Sequence, residues 1–154
     1  MALRIMPALT SEASLVYEIM QASFAEYMGV LSPPSGVHTE TLDDAIQAMS
    51  KGGALLAWLD GKAVGSVRYA FREHSCYVGR VSVLPAHRGQ GIASAMMGYI
   101  ENIAGEHGSE YLEISVRLIL ENNVHLYERL GFRISEIYEH PNGGGMIADM
   151  TKAL

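Results

Sequence analysis

Arg88-Gly89-Gln90-Gly91-Ile92-Ala93 joins an apolar, strand-like run, Tyr77 to Leu84, to a segment of helical periodicity. Pro85 stops the strand, and Ile92, Ala93, Met96, Ile100, Ile103 and Ala104 then mark one helix face. The first N–H groups of a helix have no partner within it, and the helix dipole makes that end positive. Glycines let such a backbone approach an anion closely with its N–H groups turned inward. A strand, a glycine-rich turn and a helix start therefore predict a diphosphate cradle, formed by Arg88, Gly89, Gln90, Gly91, Ile92 and Ala93. Arg80, His87 and Arg88 add local positive charge. No Gly-Lys-Ser/Thr follows, which excludes the P-loop of nucleoside triphosphatases. The glycine spacing also differs from that of dinucleotide folds. A plain glycine-rich connection is the competing reading.

The elements that must hold this turn can be read along the chain. Leu3 to Ala8 reads as a strand. Thr10 or Ser11 can cap a helix whose buried stripe is Leu15, Val16, Ile19, Met20 and Phe24. Gly29 to His38, with Pro33-Pro34 and Gly36, is a loop. Thr41 with Asp44 predicts a capped second helix through about Ser50. Ala54 to Leu59 and Val64 to Arg72 flank the turn signal Asp60-Gly61. After the long helix, ended by Gly105 and Gly108, Tyr111 to Val116 alternates as a strand. Asn122 or Asn123 caps a short helix with Leu126, Tyr127 and Leu130, ended by Gly131. Phe132 to Tyr138 and Met146 to Thr151 close the pattern around the loop His140 to Gly145. The order β, α, α, β, β, β, α, β, α, β, β predicts an α+β fold (a mixed α/β sandwich), with helices covering a mainly antiparallel sheet.

Residues 1–154 read as one domain, long enough to bury a core. Eleven basic residues against 17 acidic ones give a net charge of −6, which argues against nucleic acid as a partner. The single cysteine, Cys76, precludes an internal disulfide and reads as a small buried residue. No segment reads as a signal peptide or approaches the ~20 apolar residues of a membrane span, so a soluble cytoplasmic protein with no membrane partner is expected. The six histidines are scattered without ligand spacing, so no metal is expected.

Two motifs together resemble the GNAT (GCN5-related N-acetyltransferase) family. Arg88, Gly91 and Ala93 fill its CoA signature after the strand Val81-Ser82-Val83-Leu84-Pro85. Leu126-Tyr127-Glu128-Arg129-Leu130-Gly131-Phe132 is similar to its C-terminal helix and turn. With the element order, the likeness spans nearly the whole chain. The resemblance implies a splayed sheet with helices on both faces. It implies that the backbone of Val81, Ser82 and Val83 pairs with the pantetheine arm of acetyl-CoA, and that amides from Arg88 to Ser94 hold the pyrophosphate. It implies Tyr127 as the acid for the leaving thiolate, since a phenol of pKa near ~10 is protonated at neutral pH, and an N–H near Val83 as oxyanion donor. Many members carry an asparagine where this chain has Leu120. Asn123 resembles a variant of that position, which would make it a CoA contact, and its other reading is a helix cap. Tyr127 also reads as a packing tyrosine. The general base is not legible; Glu73, His74 and Glu113 are candidates through water, and direct attack by a neutral amine is the alternative. Irregular loops on a rigid scaffold often set specificity, which points the amine acceptor to Leu31 to His38 and Glu139 to Gly145, and family habit implies a homodimer. A domain that binds acyl-CoA without turnover is the rival reading.

Overall fold

The computed structural model describes residues 2–28 and 35–154. Seven strands form one sheet: β1 (Leu3–Pro7), β2 (Gly53–Leu59), β3 (Lys62–Phe71), β4 (Ser75–Val83), β5 (Tyr111–Arg117), β6 (Arg133–Glu139) and β7 (Met146–Ala153). Among the described residues four α-helices accompany them: α1 (Ala13–Phe24), α2 (Leu42–Lys51), α3 (Ile92–His107) and α4 (Glu121–Arg129). The sheet order is β1-β2-β3-β4-β5-β7-β6. All neighbours are antiparallel except β4 and β5, which α3 connects. A crossover helix between adjacent strands forces them parallel. The α+β expectation and the element order both hold.

β2 carries an almost unbroken apolar sequence because both its faces are covered. Leu55, Ala57 and Leu59 pack with Ile92, Met96, Met97, Ile100 and Ala104 of α3, and with Val124 and Tyr127 of α4. Ala54 and Leu56 pack with Val16 and Ile19 of α1 on the opposite face. The alternation along one strand thus assigns α1 to one face of the sheet and α3 to the other.

Local starts and stops differ from the sequence expectation in three places. Thr10 and Ser11 lie inside a 3-10 turn, and α1 begins only at Ala13. Glu12 reaches back to accept from the Leu9 N–H at 2.8 Å, so a carboxylate closes this end instead of a hydroxyl. Neither Asn122 nor Asn123 caps α4: Leu120 occupies that position, without a side-chain acceptor, and both asparagines lie within the first turn. Gly105 stays helical, and only Gly108, at φ 91°, ends α3. The α2 cap is as expected, with Thr41 Oγ1 accepting from the Asp44 N–H and Asp44 Oδ2 accepting from the Thr41 N–H. Those bonds favour the ionised carboxyl and lower the Asp44 pKa.

Cys76 is 0% exposed, between β3 and β5, and burial pushes its thiol up to about 11. The unfolded thiol ionises first, near pH 9. The stability contribution is therefore full below that pH and is lost as pH rises through the folded value. Thiol reagents should leave the folded protein unlabelled at pH 8. The stability advantage of wild type over Cys76→Ala, read from urea midpoints, should narrow between pH 8 and pH 10.5; a constant gap would refute the buried neutral thiol.

Candidate functional site

β4 and β5 pair only over Ser75–Tyr77 and Tyr111–Glu113, then separate. The remaining six residues of β4 keep β3 on one side and lose their neighbour on the other. Leu84 N–H donates to Val64 O at 2.9 Å. In an antiparallel ladder the facing edges alternate, so Ser82 turns its backbone to Ser66, whereas Val83 and Val81 turn theirs to the gap. The Arg88 Nε–H, which donates to Val83 O at 3.2 Å, marks that open edge.

A bulge sets the separation. Arg68 pairs with Gly79 and Ser66 with Ser82, so two residues of β4, Arg80 and Val81, stand opposite Val67 alone. Arg80 takes φ 53° to make the bulge, a left-handed conformation that costs a side chain ~1–2 kcal/mol.

The glycine-rich turn follows. Gly89 and Gly91 sit at φ 77° and 79°, and a Cβ on either would meet no atom within 4 Å. Backbone conformation, not crowding, is therefore what requires glycine here. The first helical bond of α3 runs from the Ala95 N–H to Gly91 O. Among the described residues, the N–H groups of Gly89, Gln90, Gly91, Ile92, Ala93 and Ser94 have no acceptor. Six consecutive free amides at a positive helix end match the demands of a diphosphate. Gly65 of β3 fixes the height of this end. A Cβ there would come within 3.1 Å of both Ile92 Cγ2 and Ser82 O, so Ile92 seats directly on the sheet.

One cavity of about 1240 Å³ runs from the turn into the gap between β4 and β5. It is lined by Gly89, Gly91, Ala93 and Ser94, by Val81 and Val83, and by Asn123 and Tyr127 of α4. Ile92 and Arg88 line it too. Ser82 and Gln90 do not: Ser82 is buried with its Oγ–H donating to Arg80 O, and Gln90 points outward. Tyr127 is buried edge-on against Phe132, with ring centroids 5.9 Å apart. Burial raises its phenol pKa, keeping it protonated, and among the described residues its hydroxyl has no hydrogen-bond partner.

The basic cluster expected from the sequence is divided. The Arg88 guanidinium turns to the end of α1, donating to Ser23 O at 2.9 Å and pairing with Glu26. Arg80 lies at the α1–α2 side of the sheet, with Nε 3.3 Å from Glu40 Oε1. His87 lines the cavity beside the turn. Side-chain reach, which spacing does not reveal, separates the three. Two of the base candidates lie at the wrong end of the sheet: Glu73 and His74 are exposed in the β3–β4 turn, where β4 and β5 still pair. Glu113 pairs with Arg72 and borders a second, smaller cavity of about 430 Å³. Of the expected acceptor loops, residues 31–34 lie outside the described residues, while Ser35, Gly36 and His140 line the main cavity.

Sequence reasoning missed the Glu40–Arg68–Arg80 group, whose members are far apart in the chain. It also missed Asp149, whose Oδ1 accepts from Ser115 Oγ at 2.7 Å and Tyr138 Oη at 2.9 Å. Only strand register brings these together.

An α+β sheet that opens between two parallel strands, with a diphosphate cradle beside the opening, defines a protein built for an extended, phosphate-bearing cofactor. Residues 16–132 match the acetyltransferase (GNAT) family, and the chain belongs to that family. A stretch of 75 residues is 31% identical to streptothricin acetyltransferase of Streptomyces lavendulae. That stretch covers 47% of this chain and 40% of that relative. Among solved structures, the PaiA N-acetyltransferase of Thermoplasma acidophilum in complex with coenzyme A aligns with a TM-score of 0.83, at 14% identity and over 100% of both chains. A GNAT family acetyltransferase of Elizabethkingia anophelis with acetyl-CoA bound aligns at 0.75, with 15% identity, over 99% of this chain and 98% of that one. At these identities the likeness is one of fold.

Replacing Gly91 with alanine should strain the turn by about 1–2 kcal/mol and weaken coenzyme A binding about tenfold. Calorimetric titration reads this directly, and an unchanged affinity would remove the turn from the site.

Proposed function

We propose that this protein is an acetyl-CoA-dependent N-acetyltransferase that acetylates a primary amine by direct transfer in a ternary complex. The observation that carries the reading is the run of six unpartnered amides, Gly89 to Ser94, opening onto the unpaired edge of β4. Acetyl-CoA supplies an acetyl thioester, and attack by an amine yields an N-acetyl product and free thiol.

The residues divide the work by position. The cradle amides hold the diphosphate, and the helix dipole adds to their pull. Val81 and Val83 offer backbone groups to the pantetheine arm, as an added strand would find them. The Val83 N–H stands on the open edge, where it can donate to the oxygen on which charge develops. Tyr127 carries a proton that burial holds in place at neutral pH, and it donates to the departing sulfur. Its raised pKa makes it a weak acid, so the departing sulfur must be a basic, desolvated thiolate to take that proton. The amine attacks the thioester carbon as the neutral base, and the proton its nitrogen then sheds passes to water in the open cleft, which also restores the phenol. Asn123, within the first turn of α4, borders the cofactor path.

Tyr127→Phe should lower kcat by about 10²–10⁴-fold. The ring still packs against Phe132, so acetyl-CoA affinity should change by less than twofold. Thiol release and calorimetric titration separate the two quantities. Undiminished turnover would end the acid assignment. Acetyl-CoA binding with no thiol release from any amine in wild type would favour a binding module.

A further inference from the structure

Arg80 is the residue the cofactor reading leaves without a task. It is an arginine in a left-handed bulge although Gly79, beside it, would take φ > 0 at no cost. Positions where a side chain is kept at the expense of strain cluster at functional sites. Its side chain is 33% exposed and lines the main cavity. It precedes Val81 on the open stretch of β4, three residues before Val83, whose N–H the transfer reading assigns to the reacting oxygen.

The charge around it does not balance. Glu40, with its side chain only 8% exposed, accepts from Arg68 Nη1 at 2.7 Å and from Arg68 Nη2 at 2.8 Å. Both carboxylate oxygens are thus taken by one guanidinium in a bidentate pair. Arg80 shares Oε1 through Nε alone, at 3.3 Å. Its two terminal nitrogens have no hydrogen-bond partner among the described residues. Residues 29–34 read Gly-Val-Leu-Ser-Pro-Pro and contain no carboxylate to offset them. Of the other acids about the cavity, Asp44 is exposed, is held by Thr41 and faces Arg68, Glu26 pairs with Arg88, and Glu121 is exposed at the start of α4. Two cations and one buried anion leave one positive charge beside the cleft, in a chain whose net charge is −6.

The side of the sheet decides what meets this charge. The diphosphate cradle lies at the start of α3, on one face. Arg80 reaches toward Glu40 and Gly36 on the face that α1 and α2 cover, where a Cβ on Gly36 would come 3.2 Å from its Nη2. The cofactor occupies the first side, so the acceptor must approach from the second.

We propose that the acceptor amine carries a carboxylate, and that the free edge of the Arg80 guanidinium receives it while Glu40 and Arg68 hold Arg80 in place. The proposal rests on the amine-acetylation reading above and narrows its substrate class to amino-carboxylic acids. A fork of parallel N–H donors matches a carboxylate, and the pairing would set the distance between the amine and the thioester. A polycationic acceptor would instead meet Arg68 and Arg80 at close range.

The test uses common α-amino acids and the ω-amino acids from glycine to 6-aminohexanoate, each beside its primary amide, with acetyl-CoA and thiol detection. In parallel, the N-acetyl derivatives of the same acids and amides are titrated into the CoA-loaded protein. Acids should exceed their amides by about 10- to 100-fold in kcat/KM and in product affinity. Arg80→Asn, which tolerates a left-handed backbone, should bring both ratios near one while acetyl-CoA affinity stays within twofold. Arg80→Lys should keep part of the preference, and Arg80→Gly serves if the asparagine variant does not fold. Equal use of acids and amides, an unchanged preference in Arg80→Asn, or no binding of any N-acetyl acid would overturn the proposal. Failure of the transfer reading looks different: no amine releases thiol, while N-acetyl acids still bind in preference to their amides.

Discussion

The separation of β4 from β5 after three paired residues is the constraint on which the rest of this molecule depends. A sheet interior normally satisfies every backbone group, and an unpaired edge inside a protein costs free energy. Here the unpaired edge faces a cavity, so water or a ligand can satisfy it. The bulge at Arg80 bends β4 away, α3 returns the chain to make β5 parallel, and Gly65 lets Ile92 sit close enough to bring the helix end beside the gap. Each device is local, and together they set free N–H groups along two sides of one cavity.

The cradle was legible because its physics is local. Glycine at Gly89 and Gly91 reports a backbone that needs φ > 0, and a helix start after a strand reports free amides. The order of elements along the chain was legible from the apolar run of β2, the Asp60-Gly61 turn and the alternation of β5. Caps were less so. Asn122 and Asn123 have the right chemistry to open α4, yet the helix starts at Glu121, with Leu120 at φ −86° and ψ 71° in the capping position. Arg80 was read by proximity in sequence to Arg88, and in the fold the two guanidiniums take different carboxylates, Glu40 and Glu26, rather than forming one cluster. Nothing in a strand-like run announces which residue will carry a bulge. The Glu40–Arg68–Arg80 group depends on the same bulge, and so does any reading of the acceptor side.

Charge works on two scales here. The whole chain is acidic, which discourages polyanions at long range. Within the cleft the helix end of α3 and the spare charge of Arg80 reverse the sign, and both act at distances where screening by salt is weak. Arg88 contributes differently: by pairing with Glu26 and the Ser23 carbonyl it ties the glycine turn to the end of α1. The end of α1 and the cradle therefore share one support.

Amide spectra recorded by ¹H–¹⁵N NMR during a titration with acetyl-CoA test the central claim most directly, at a mass of 16.7 kDa that suits the method. The cradle account predicts that the Gly89 to Ser94 amides, together with Val81 and Val83, show the largest shifts, as free N–H groups acquire acceptors. Binding that leaves those amides unmoved, or no binding at all, would contradict it.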